Sequence, residues 1–146
     1  MSGTIAPAAA ADLPEILSLL DRAKLPRAGV PEHLADFVVA REGQRVVGCA
    51  ALERYGSSAL LRSVAVDVTM RGLGLGQELT KALLERARRF KLVRVYLLTE
   101  TAQQFFPRFG FKVIQRDAVD QAVRQSVEFS SACPKGAVAM ALELPR

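Results

Sequence analysis

The sequence predicts one α/β (α+β) domain, residues 1–146, in which helices flank a mixed, mostly antiparallel sheet of about six to seven strands. The first observation is the length, since 146 residues with 50% hydrophobic side chains suffice for one substantial core. The second is the stretch Leu60–Phe90, which has the pattern of a buried strand, a glycine-rich loop and an amphipathic helix. The third is the apolar strand pattern Val93–Leu98 that follows, because a strand–helix–strand crossover makes its two strands parallel.

The segments before this central β-α-β unit predict a strand, a helix, one helical turn and a two-stranded hairpin. The helix should begin at a capping box, Asp12–Glu15, and should end before Pro26. The hairpin turn is Glu42–Gln44. In chain order the expected elements are Thr4–Ala6, Asp12 to about Lys24, Glu32–Asp36, Phe37–Arg41 and Arg45–Tyr55.

The segments after the central unit predict two more helices and two more strands. Gly110 is a typical C-terminal stop for the first of these helices, and Pro134 ends the second. In chain order the expected elements are the helix Thr99–Phe109, the strand Phe111–Arg116, the helix Asp117–Cys133 and the strand Ala137–Leu144.

Composition and charge restrict the class of protein. No apolar run approaches the ~20 residues of a membrane span, and the first residues lack a signal-peptide pattern, so we expect no membrane association. Cys49 and Cys133 are too few for a disulfide framework, which favours a reduced, cytoplasmic protein, and no cysteine–histidine cluster predicts a metal site. The net charge of +5 fits an anionic ligand, but no helix-turn-helix pattern or basic arm with interleaved aromatic residues indicates nucleic acid.

The loop Arg71–Gly76 has the composition of an anion site at the start of a helix. Gly72, Gly74 and Gly76 leave its backbone accessible, and the first N–H groups of a helix have no internal partner. The helix dipole favours negative charge there, and Arg71 adds a planar cationic donor, so a pyrophosphate would suit the loop. The spacing fits neither the P-loop nor the dinucleotide fingerprint. The alternative is a glycine-rich turn that binds no ligand.

The same loop matches R-x-x-G-x-G after a strand that ends at Val64–Asp67, and it closely resembles the acetyl-coenzyme A (acetyl-CoA) motif of the GNAT N-acetyltransferase superfamily. The order of predicted elements is similar to that fold over nearly the whole chain. The resemblance implies that acetyl-CoA is the co-substrate, that its pantetheine arm pairs with a splayed central strand, and that loop amides hold its pyrophosphate. The implied cofactor-binding residues are Val64, Ala65, Val66, Arg71, Gly72, Leu73, Gly74, Leu75, Gly76, Thr99, Ala102 and Phe105.

A second stretch, Thr99–Phe111, is similar to the pattern N-x-x-A-x-x-F/L-Y-x-x-x-G-F of many GNAT proteins. Ala102 and Phe105 match this pattern. Thr99 replaces its asparagine, and Phe106 replaces the tyrosine that often serves as general acid.

Finer patterns resemble the arsenic-resistance N-acetyltransferase (ArsN-type) branch. They are Leu52-Glu53, Leu60–Ser63, Leu97–Thr99, Phe105-Phe106, Arg124–Phe129 and Cys133-Pro134. The resemblance implies a small, amino-acid-like primary amine as the acetyl acceptor, in a protein that could form a homodimer. Two alternatives stay open, a non-catalytic acyl-CoA sensor with the same site and a protein N-acetyltransferase.

Five residues are candidates for the acceptor site. Arg62 lies two residues before the expected position of the thioester, where a charged side chain is costly unless it is paired. With Arg124 and Ser126 it could hold a substrate carboxylate or a similar anion. A salt bridge between Arg124 and Glu128, four residues apart on the predicted helix, is an equal alternative. Cys133 could line the same pocket.

Acetyl transfer by direct attack requires a base, because amines are mostly protonated at pH 7. Glu53 is the candidate, since the apolar run Ala50–Leu52 would partly desolvate its carboxylate; a solvent-exposed carboxylate at a strand end is the alternative. Phe106 cannot donate a proton, so Tyr55 is the candidate acid, unless the thiolate leaves without one. Cys49 lies in an apolar run and is expected in the core, so we expect no covalent intermediate.

Overall fold

The computed structural model describes residues 4–132 and 136–145, and its centre is one seven-stranded sheet. The strands are β1 Thr4–Pro7, β2 Phe37–Glu42, β3 Arg45–Tyr55, β4 Ser58–Val66, β5 Arg94–Thr99, β6 Lys112–Ile114 and β7 Val138–Glu143. Their order in the sheet is β1-β2-β3-β4-β5-β7-β6, and only the β4–β5 pair is parallel. The predicted mixed, mostly antiparallel sheet with a central parallel β-α-β unit is therefore confirmed.

Helices cover both faces of this sheet. The longer ones are α1, Leu13–Arg22, and α2, Leu75–Arg89, and the third, α3, is the single turn Gln121–Arg124. Short turns connect them to the strands. These are the 3-10 turns Ala10–Asp12, Pro31–Asp36, Val68–Met70, Phe106–Phe109 and Arg116–Ala118, and the π-helical turn Glu128–Ala132.

Successive side chains of a strand point to opposite faces of the sheet, so β3 contributes to two apolar cores. Val47 and Leu52 belong to the core that contains Leu79 of α2. Val46 belongs to the core that contains Leu20 of α1. The two cores define an α2 face and an α1 face of the sheet.

The helix α2 lies so close to β3 that Gly48 has little room for a side chain. A Cβ atom there would be 3.0 Å from Cδ1 of Leu79 and 3.3 Å from Cδ2 of Leu75. A glycine in the middle of a strand commonly marks such a close approach.

β4 contains a bulge in its middle. Cys49 of β3 faces Ala65 of β4, whereas Ala51 faces Arg62, so β4 has one more residue than β3 between these two pairs. Ser63, in the bulge, has φ of 62°, in the left-handed region that non-glycine residues rarely adopt.

The sheet is split between β4 and β5. Only Ser58–Leu60 and Arg94–Tyr96 face each other in register, and beyond Leu60 the two strands are no longer paired. β5 instead pairs with β7 along its whole length, up to the pair Thr99–Val138. The second half of β4 and the second half of β5 are therefore the two sides of a gap.

Asp120 joins the two strands at the closed end of this split. Its carboxylate accepts hydrogen bonds from the Ser58 hydroxyl of β4 and, at 3.0 Å, from the Tyr96 phenol of β5. The bond from Ser58 is the first of the interactions that hold the pKa of Asp120 below its ordinary value. These bonds help to fix the point at which the strands separate.

The predicted helix over Thr99–Phe109 is wrong, because only the 3-10 turn Phe106–Phe109 forms there. The Thr99 hydroxyl accepts a hydrogen bond from the Ala102 N–H at 2.9 Å, and such side-chain bonds compete with helical ones. The predicted stop at Gly110 is confirmed, with φ of 100°.

The predicted helix over Asp117–Cys133 is also wrong, and Cys133 itself lies outside the described residues. The segment divides into the turn Arg116–Ala118, α3 and the π-helical turn. The Ser126 hydroxyl accepts a hydrogen bond from the Phe129 N–H at 3.3 Å, which starts a new turn instead of continuing α3. Glu128 then forms an ion pair with Arg62 at 3.1 Å, a long-range contact that helical periodicity does not predict.

The predicted capping box at the start of α1 is wrong as well. The Asp12 carboxylate accepts from the Ala9 N–H at 2.7 Å, and the Glu15 carboxylate accepts from the Val46 N–H of β3 at 3.0 Å. Glu15 thus connects α1 to the sheet instead of capping its own helix.

Truncating Leu79 tests the packing of α2 on β3. Leu79→Ala should lower the free energy of unfolding by about 2–5 kcal/mol, because the side chain is fully buried and its loss leaves a cavity. Leu73→Ala makes the same change in a side chain that is 55% exposed, and it should cost less than about 0.5 kcal/mol. Urea unfolding followed by circular dichroism gives both values, and equal losses would contradict the described packing.

Candidate functional site

The split between β4 and β5 opens into a cavity of about 1050 Å³. One wall is Leu61–Val66 of β4, and the other is Leu97–Phe106, at the end of β5 and in the turn after it. The lining also includes Gly76 of α2, Pro26 of the loop after α1, and Glu128.

The cavity passes through the sheet from one face to the other. Val66 and Phe105 pack against the core of the α2 face. Arg62 donates a hydrogen bond to the carbonyl of Pro26, in the loop after α1, at 3.1 Å. Two reactants could therefore enter from opposite faces and meet at the second half of β4.

The loop between β4 and α2 begins at Asp67, which is buried. Its carboxylate accepts hydrogen bonds from the backbone N–H and the hydroxyl of Thr69, at 3.0 and 2.7 Å, and Arg22 donates to it at 3.2 Å. The bonds from Thr69 hold the pKa of Asp67 below its ordinary value. Asp67 therefore fixes the start of the glycine loop as a carboxylate.

The backbone conformation of the loop requires glycine at two positions, Gly72 and Gly74. Both have φ of 82°, and a Cβ atom at either position would meet nothing within 4 Å. The left-handed backbone, not lack of space, selects glycine at these two positions.

The N-terminus of α2 has the arrangement of an anion site. The Glu78 N–H donates to the Gly74 carbonyl at 3.1 Å, so the N–H groups of Leu75, Gly76 and Gln77 precede the helical ladder. The Leu75 side chain is buried, so only its backbone can serve a ligand. Leu73 is exposed, and with Gly72 and Gly74 it forms the rest of the loop.

Arg71 and Gly76 lie where this loop meets the cavity, and both line it. The Arg71 side chain is near the Val66 carbonyl, with Nε 3.4 Å from the oxygen. A Cβ atom at Gly76 would lie 3.6 Å from Cζ of Phe105, so a side chain at this position would extend into the gap between α2 and Phe105. Of the residues assigned to the cofactor, the wall includes Val64, Ala65, Val66, Arg71, Gly76, Thr99, Ala102 and Phe105.

A cluster of aromatic rings forms the wall opposite β4. The Phe105 ring packs edge-on against Phe106 and Phe109, with centroids 5.0 and 5.5 Å apart. The Arg108 guanidinium lies 4.7 Å from the centre of the Phe105 ring. Phe106, at the position where many GNAT proteins have tyrosine, therefore presents an apolar surface to the cavity.

Arg62 is fully buried, and its guanidinium donates hydrogen bonds to several protein groups. Its Nη1 donates to the Glu53 carboxylate at 3.1 Å, its Nη2 to the Pro26 carbonyl, and its Nε to the Ser63 hydroxyl at 3.0 Å. The same Nε lies 3.1 Å from the Glu128 carboxylate. Each nitrogen of the guanidinium has a protein partner, and Nη1 and Nη2 each carry a second N–H. The role of Arg62 as the anchor of a substrate carboxylate stays a prediction.

Glu53 is buried, but its neighbours differ from the apolar side chains expected around it. Its carboxylate contacts Arg62 and accepts a hydrogen bond from the Tyr55 phenol at 2.6 Å. Neither Glu53 nor Tyr55 lines the cavity. Burial, and then the bond to Glu53, raise the pKa of Tyr55 well above its ordinary value, which makes this phenol a poor proton donor.

Cys49 lies in the core, as its apolar surroundings predict. Its thiol donates to the Ser63 carbonyl at 3.3 Å, and burial raises the pKa of the thiol to about 12. It is not on the cavity wall. A buried, protonated thiol of this kind is a poor nucleophile.

Two of the acceptor-site candidates, Arg124 and Ser126, do not line the cavity. Arg124 is exposed on α3, and among the described residues no ion pair joins it to Glu128. Ser126 is buried, and its hydroxyl caps the turn that follows. Cys133 is outside the described residues. Glu128 does line the cavity, beside Arg62.

Several wall residues were not predicted from the sequence. They are Ala23, Leu25 and Pro26 of the loop after α1, and Glu100, Gln103, Gln104 and Arg108 of the turn after β5. The first three belong to no motif and reach the cavity only through the packing of distant elements. The other four lie within the stretch Thr99–Phe111, at positions that its pattern leaves unspecified.

In the described ranges, 4–132 and 136–145, no group of three or more histidine, cysteine, aspartate or glutamate residues could hold a metal ion. No helix in the same ranges is long and apolar enough to cross a membrane.

The sequence matches a known domain family. The sequence model of the family described as "Acetyltransferase (GNAT) domain" matches residues 33–113. A curated amino-acid acetyltransferase from Mycobacterium tuberculosis is 40% identical over 97 residues, which are 63% of this chain and 55% of that protein. The chain thus spans just over half the length of this relative.

Solved structures match over a larger part of the chain. One protein from Mycobacterium tuberculosis, solved in complex with CoA and a second ligand, is 29% identical with a TM-score of 0.79, and the match covers 97% of this chain and 99% of that one. N-acetylglutamate synthase from Neisseria gonorrhoeae, complexed with coenzyme A and N-acetyl-glutamate, is 20% identical with a TM-score of 0.84, over 98% of this chain and 35% of that one. The second likeness is one of fold alone.

Removing the Asp67 carboxylate tests how the glycine loop is held. The pKa of Asp67 is lower in the folded protein than its value of about 3.9 in the unfolded chain, so ionisation of this carboxyl stabilises the folded protein. This stabilisation is complete above about pH 3.9, and it is lost as the pH falls through the pKa of the folded state. Asp67→Ala should therefore lower the free energy of unfolding by about 1–2 kcal/mol at pH 7, the contribution of a capping side chain. Below about pH 4 it should lower it by progressively less. Urea unfolding at pH 7, 5 and 3 measures this difference.

The exposed Asp117 provides the control for this experiment. Asp117→Ala should change stability by less than about 0.5 kcal/mol. A cost of Asp67→Ala that does not change between pH 7 and pH 3 would contradict the role of the charged carboxylate.

Proposed function

Because this chain belongs to the GNAT acetyltransferase family, we propose that it transfers the acetyl group of acetyl-CoA to the primary amine of a small, amino-acid-like substrate. The observation that carries the proposal is the split sheet, which opens a cavity beside a glycine loop at the N-terminus of a helix. A long, thin, anionic cofactor fits this combination better than a compact one, since an anion site lies at one end of an extended cleft.

Acetyl-CoA would bind along the second half of β4. The strand β5 does not pair with Val64–Val66, so the pantetheine arm can take the place of a neighbouring strand. Its pyrophosphate would accept hydrogen bonds from the amides at the start of α2, with the Arg71 guanidinium beside it. The rings of Phe105 and Phe106 provide an apolar wall for the rest of the arm.

The relatives support an amino acid as the acceptor. One is named an amino-acid acetyltransferase, and one fold neighbour was solved with N-acetyl-glutamate, the product of acetylating an amino acid. The likeness to the arsenic-resistance branch rests on sequence patterns alone, so arsenic forms no part of the proposal. Reduced cysteines such as the buried Cys49 fit a cytoplasmic location.

Direct attack is the mechanism that these residues favour. The amine nitrogen would form a bond to the thioester carbonyl carbon, and the C–S bond would break to release the CoA thiolate. Cys49 is not on the cavity wall and keeps its proton, so it offers no covalent route. Before attack, the amine must lose a proton. Glu53 could receive it only along a path past Arg62, whereas Glu128 lies on the wall itself.

Release of free thiol from acetyl-CoA with a panel of amines tests the proposal. Turnover with amino acids or related small amines is the expected result. Binding of CoA without release of thiol in the presence of any amine would indicate the alternative, an acyl-CoA sensor. Turnover with peptide N-termini alone would indicate a protein N-acetyltransferase.

Removing the Arg71 side chain tests the cofactor site. Wild-type protein should bind CoA with micromolar affinity or better, about 8 kcal/mol. Arg71→Ala should weaken binding about tenfold through the loss of a charged partner for the pyrophosphate. Arg89→Ala removes the same charge from the exposed last turn of α2 and should change affinity less than about twofold. Calorimetry measures all three, and equal weakening by both substitutions would contradict the assigned site.

Removing the Tyr55 hydroxyl tests whether the thiolate needs this acid. Tyr55→Phe should keep kcat within about twofold, because the phenol is off the cavity wall and burial raises its pKa. The paired variant Phe106→Tyr places a hydroxyl on the wall and should also change kcat little if the thiolate departs unaided. A loss of about tenfold or more in Tyr55→Phe, with an altered basic limb of the pH–rate profile, would restore Tyr55 as the acid.

A further inference from the structure

The loop after α1, residues 23–30, forms an apolar side of the cavity on the α1 face. Ala23, Leu25 and Pro26 line the cavity, and all three are half-buried. Ala23 and Leu25 also pack against the core of the α1 face. The loop therefore presents an aliphatic surface that the core supports from behind.

Hydrogen bonds fix this loop in place. The Leu25 N–H donates to the Leu20 carbonyl of α1 at 2.9 Å, and Nη2 of Arg62 donates to the Pro26 carbonyl at 3.1 Å. A Cβ atom at Gly29 would lie 3.4 Å from Nη1 of Arg62, so the second half of the loop also lies close to this guanidinium. A ligand that matches the surface therefore binds without the entropic cost of ordering a loop.

Two aliphatic residues of the sheet extend this surface across the split. Ala65 of β4 lines the cavity and belongs to the core of the α1 face. On β5, Leu97 belongs to the core of the α2 face, so the next residue, Leu98, points to the opposite face, and it lines the cavity as well. The wall on the α1 face thus has aliphatic residues on the loop and on both strands that border the split.

The charged residues at this end of the cavity are paired with protein groups. Arg62 and Glu128 form an ion pair at 3.1 Å, and their side chains are 0% and 4% exposed. The predicted role of Arg62, binding a carboxylate of the acceptor, would use the second N–H of Nη1 and of Nη2. These two donors match one carboxylate, so a second charged group on the acceptor would meet aliphatic surface, where burial of an unpaired charge is costly.

Other cationic and polar residues of the wall lie toward the α2 face. Arg71 lies at the glycine loop, and the Arg108 guanidinium lies over the Phe105 ring. The polar turn over residues 100–104 contains Ala102, which packs against the core of the α2 face, as Phe105 does. These residues therefore border the side of the cavity on which the cofactor would lie.

We infer, on the basis of the proposed function, that the acceptor is a primary amine with an aliphatic side chain, such as an aliphatic amino acid, and that Leu25 is a specificity-determining residue. The side chain of the acceptor packs against the wall formed by the loop after α1 and Leu98. Leu25 contributes most to this contact, because it has the largest side chain of the three loop residues that line the cavity.

Steady-state acetylation of the standard amino acids, followed by free-thiol release at saturating acetyl-CoA, tests the inference on the wild type. Leucine should have a kcat/KM at least about tenfold above those of asparagine and aspartate, which have nearly the same shape but must bury a polar or charged group. Leucine should also exceed alanine by about tenfold or more, because its longer side chain reaches the wall.

Truncating Leu25 tests its role in this selection. Leu25→Ala should lower the ratio of the kcat/KM values for leucine and alanine about tenfold, since the wall recedes from the longer side chain. Leu17→Ala makes the same change in a half-buried leucine of α1 that packs against the same core but is not on the cavity wall. It should keep the ratio within about twofold of wild type. The affinity for CoA, measured by calorimetry, should stay within about twofold in both variants.

The outcomes separate the inference from the proposed function. A wild type that acetylates aspartate, asparagine, glutamate or glutamine better than leucine overturns the inference and leaves the proposed function in place, and this comparison does not require any variant to fold. An unchanged ratio in Leu25→Ala, or an equal fall in Leu17→Ala, overturns the role of Leu25. A wild type that binds CoA but acetylates no small amine refutes the proposed function and the inference with it.

Discussion

The open half of the sheet depends on the early end of the ladder between β4 and β5 at Leu60, and it contains a bulge of β4, where Ser63 has a left-handed backbone. An L-residue in this conformation costs roughly 1 kcal/mol, and the hydrogen bond that the Ser63 hydroxyl accepts from Arg62 offsets part of that cost. Beyond Leu60, β4 still pairs with β3 up to the pair Gly48–Val66, but it no longer pairs with β5. The free edge of β4 that lines the cavity follows from this early end of the β4–β5 ladder.

Arg62 connects the bulge to the end of the cavity on the α1 face. Its guanidinium binds groups from β3, β4, the loop after α1 and the turn that contains Glu128. Burying a guanidinium is costly, and a hydrophobic replacement of similar volume often gives a more stable protein. Arg62 binds groups from four segments around the cavity although burying its charge is costly. Its presence is better explained by the positions in which it holds these segments than by a gain in stability.

The glycine loop beside the cavity could be predicted from the sequence because it is local. Strand, loop and helix follow one another in Leu60–Phe90, and the three glycines lie within five residues. The opposite end of the cavity could not be predicted, since Pro26, Arg62 and Glu128 come together only through tertiary packing. The catalytic roles of Glu53 and Tyr55 stay predictions, which rest on their sequence position and on the apolar residues before Glu53. These two residues face Leu60 and Ser58, at the closed end of the split, where β4 and β5 are still in register. The long helix predicted after Asp117 failed for a related reason, because a distant ion pair outweighs local periodicity.

The two half-sheets, β1–β4 and β5–β7–β6, meet along one short ladder at the closed end of the split, and Asp120 bonds to a side chain of each. Asp120 is not on the cavity wall. A substitution of Asp120 would therefore change the junction between the half-sheets without replacing any residue that lines the cavity.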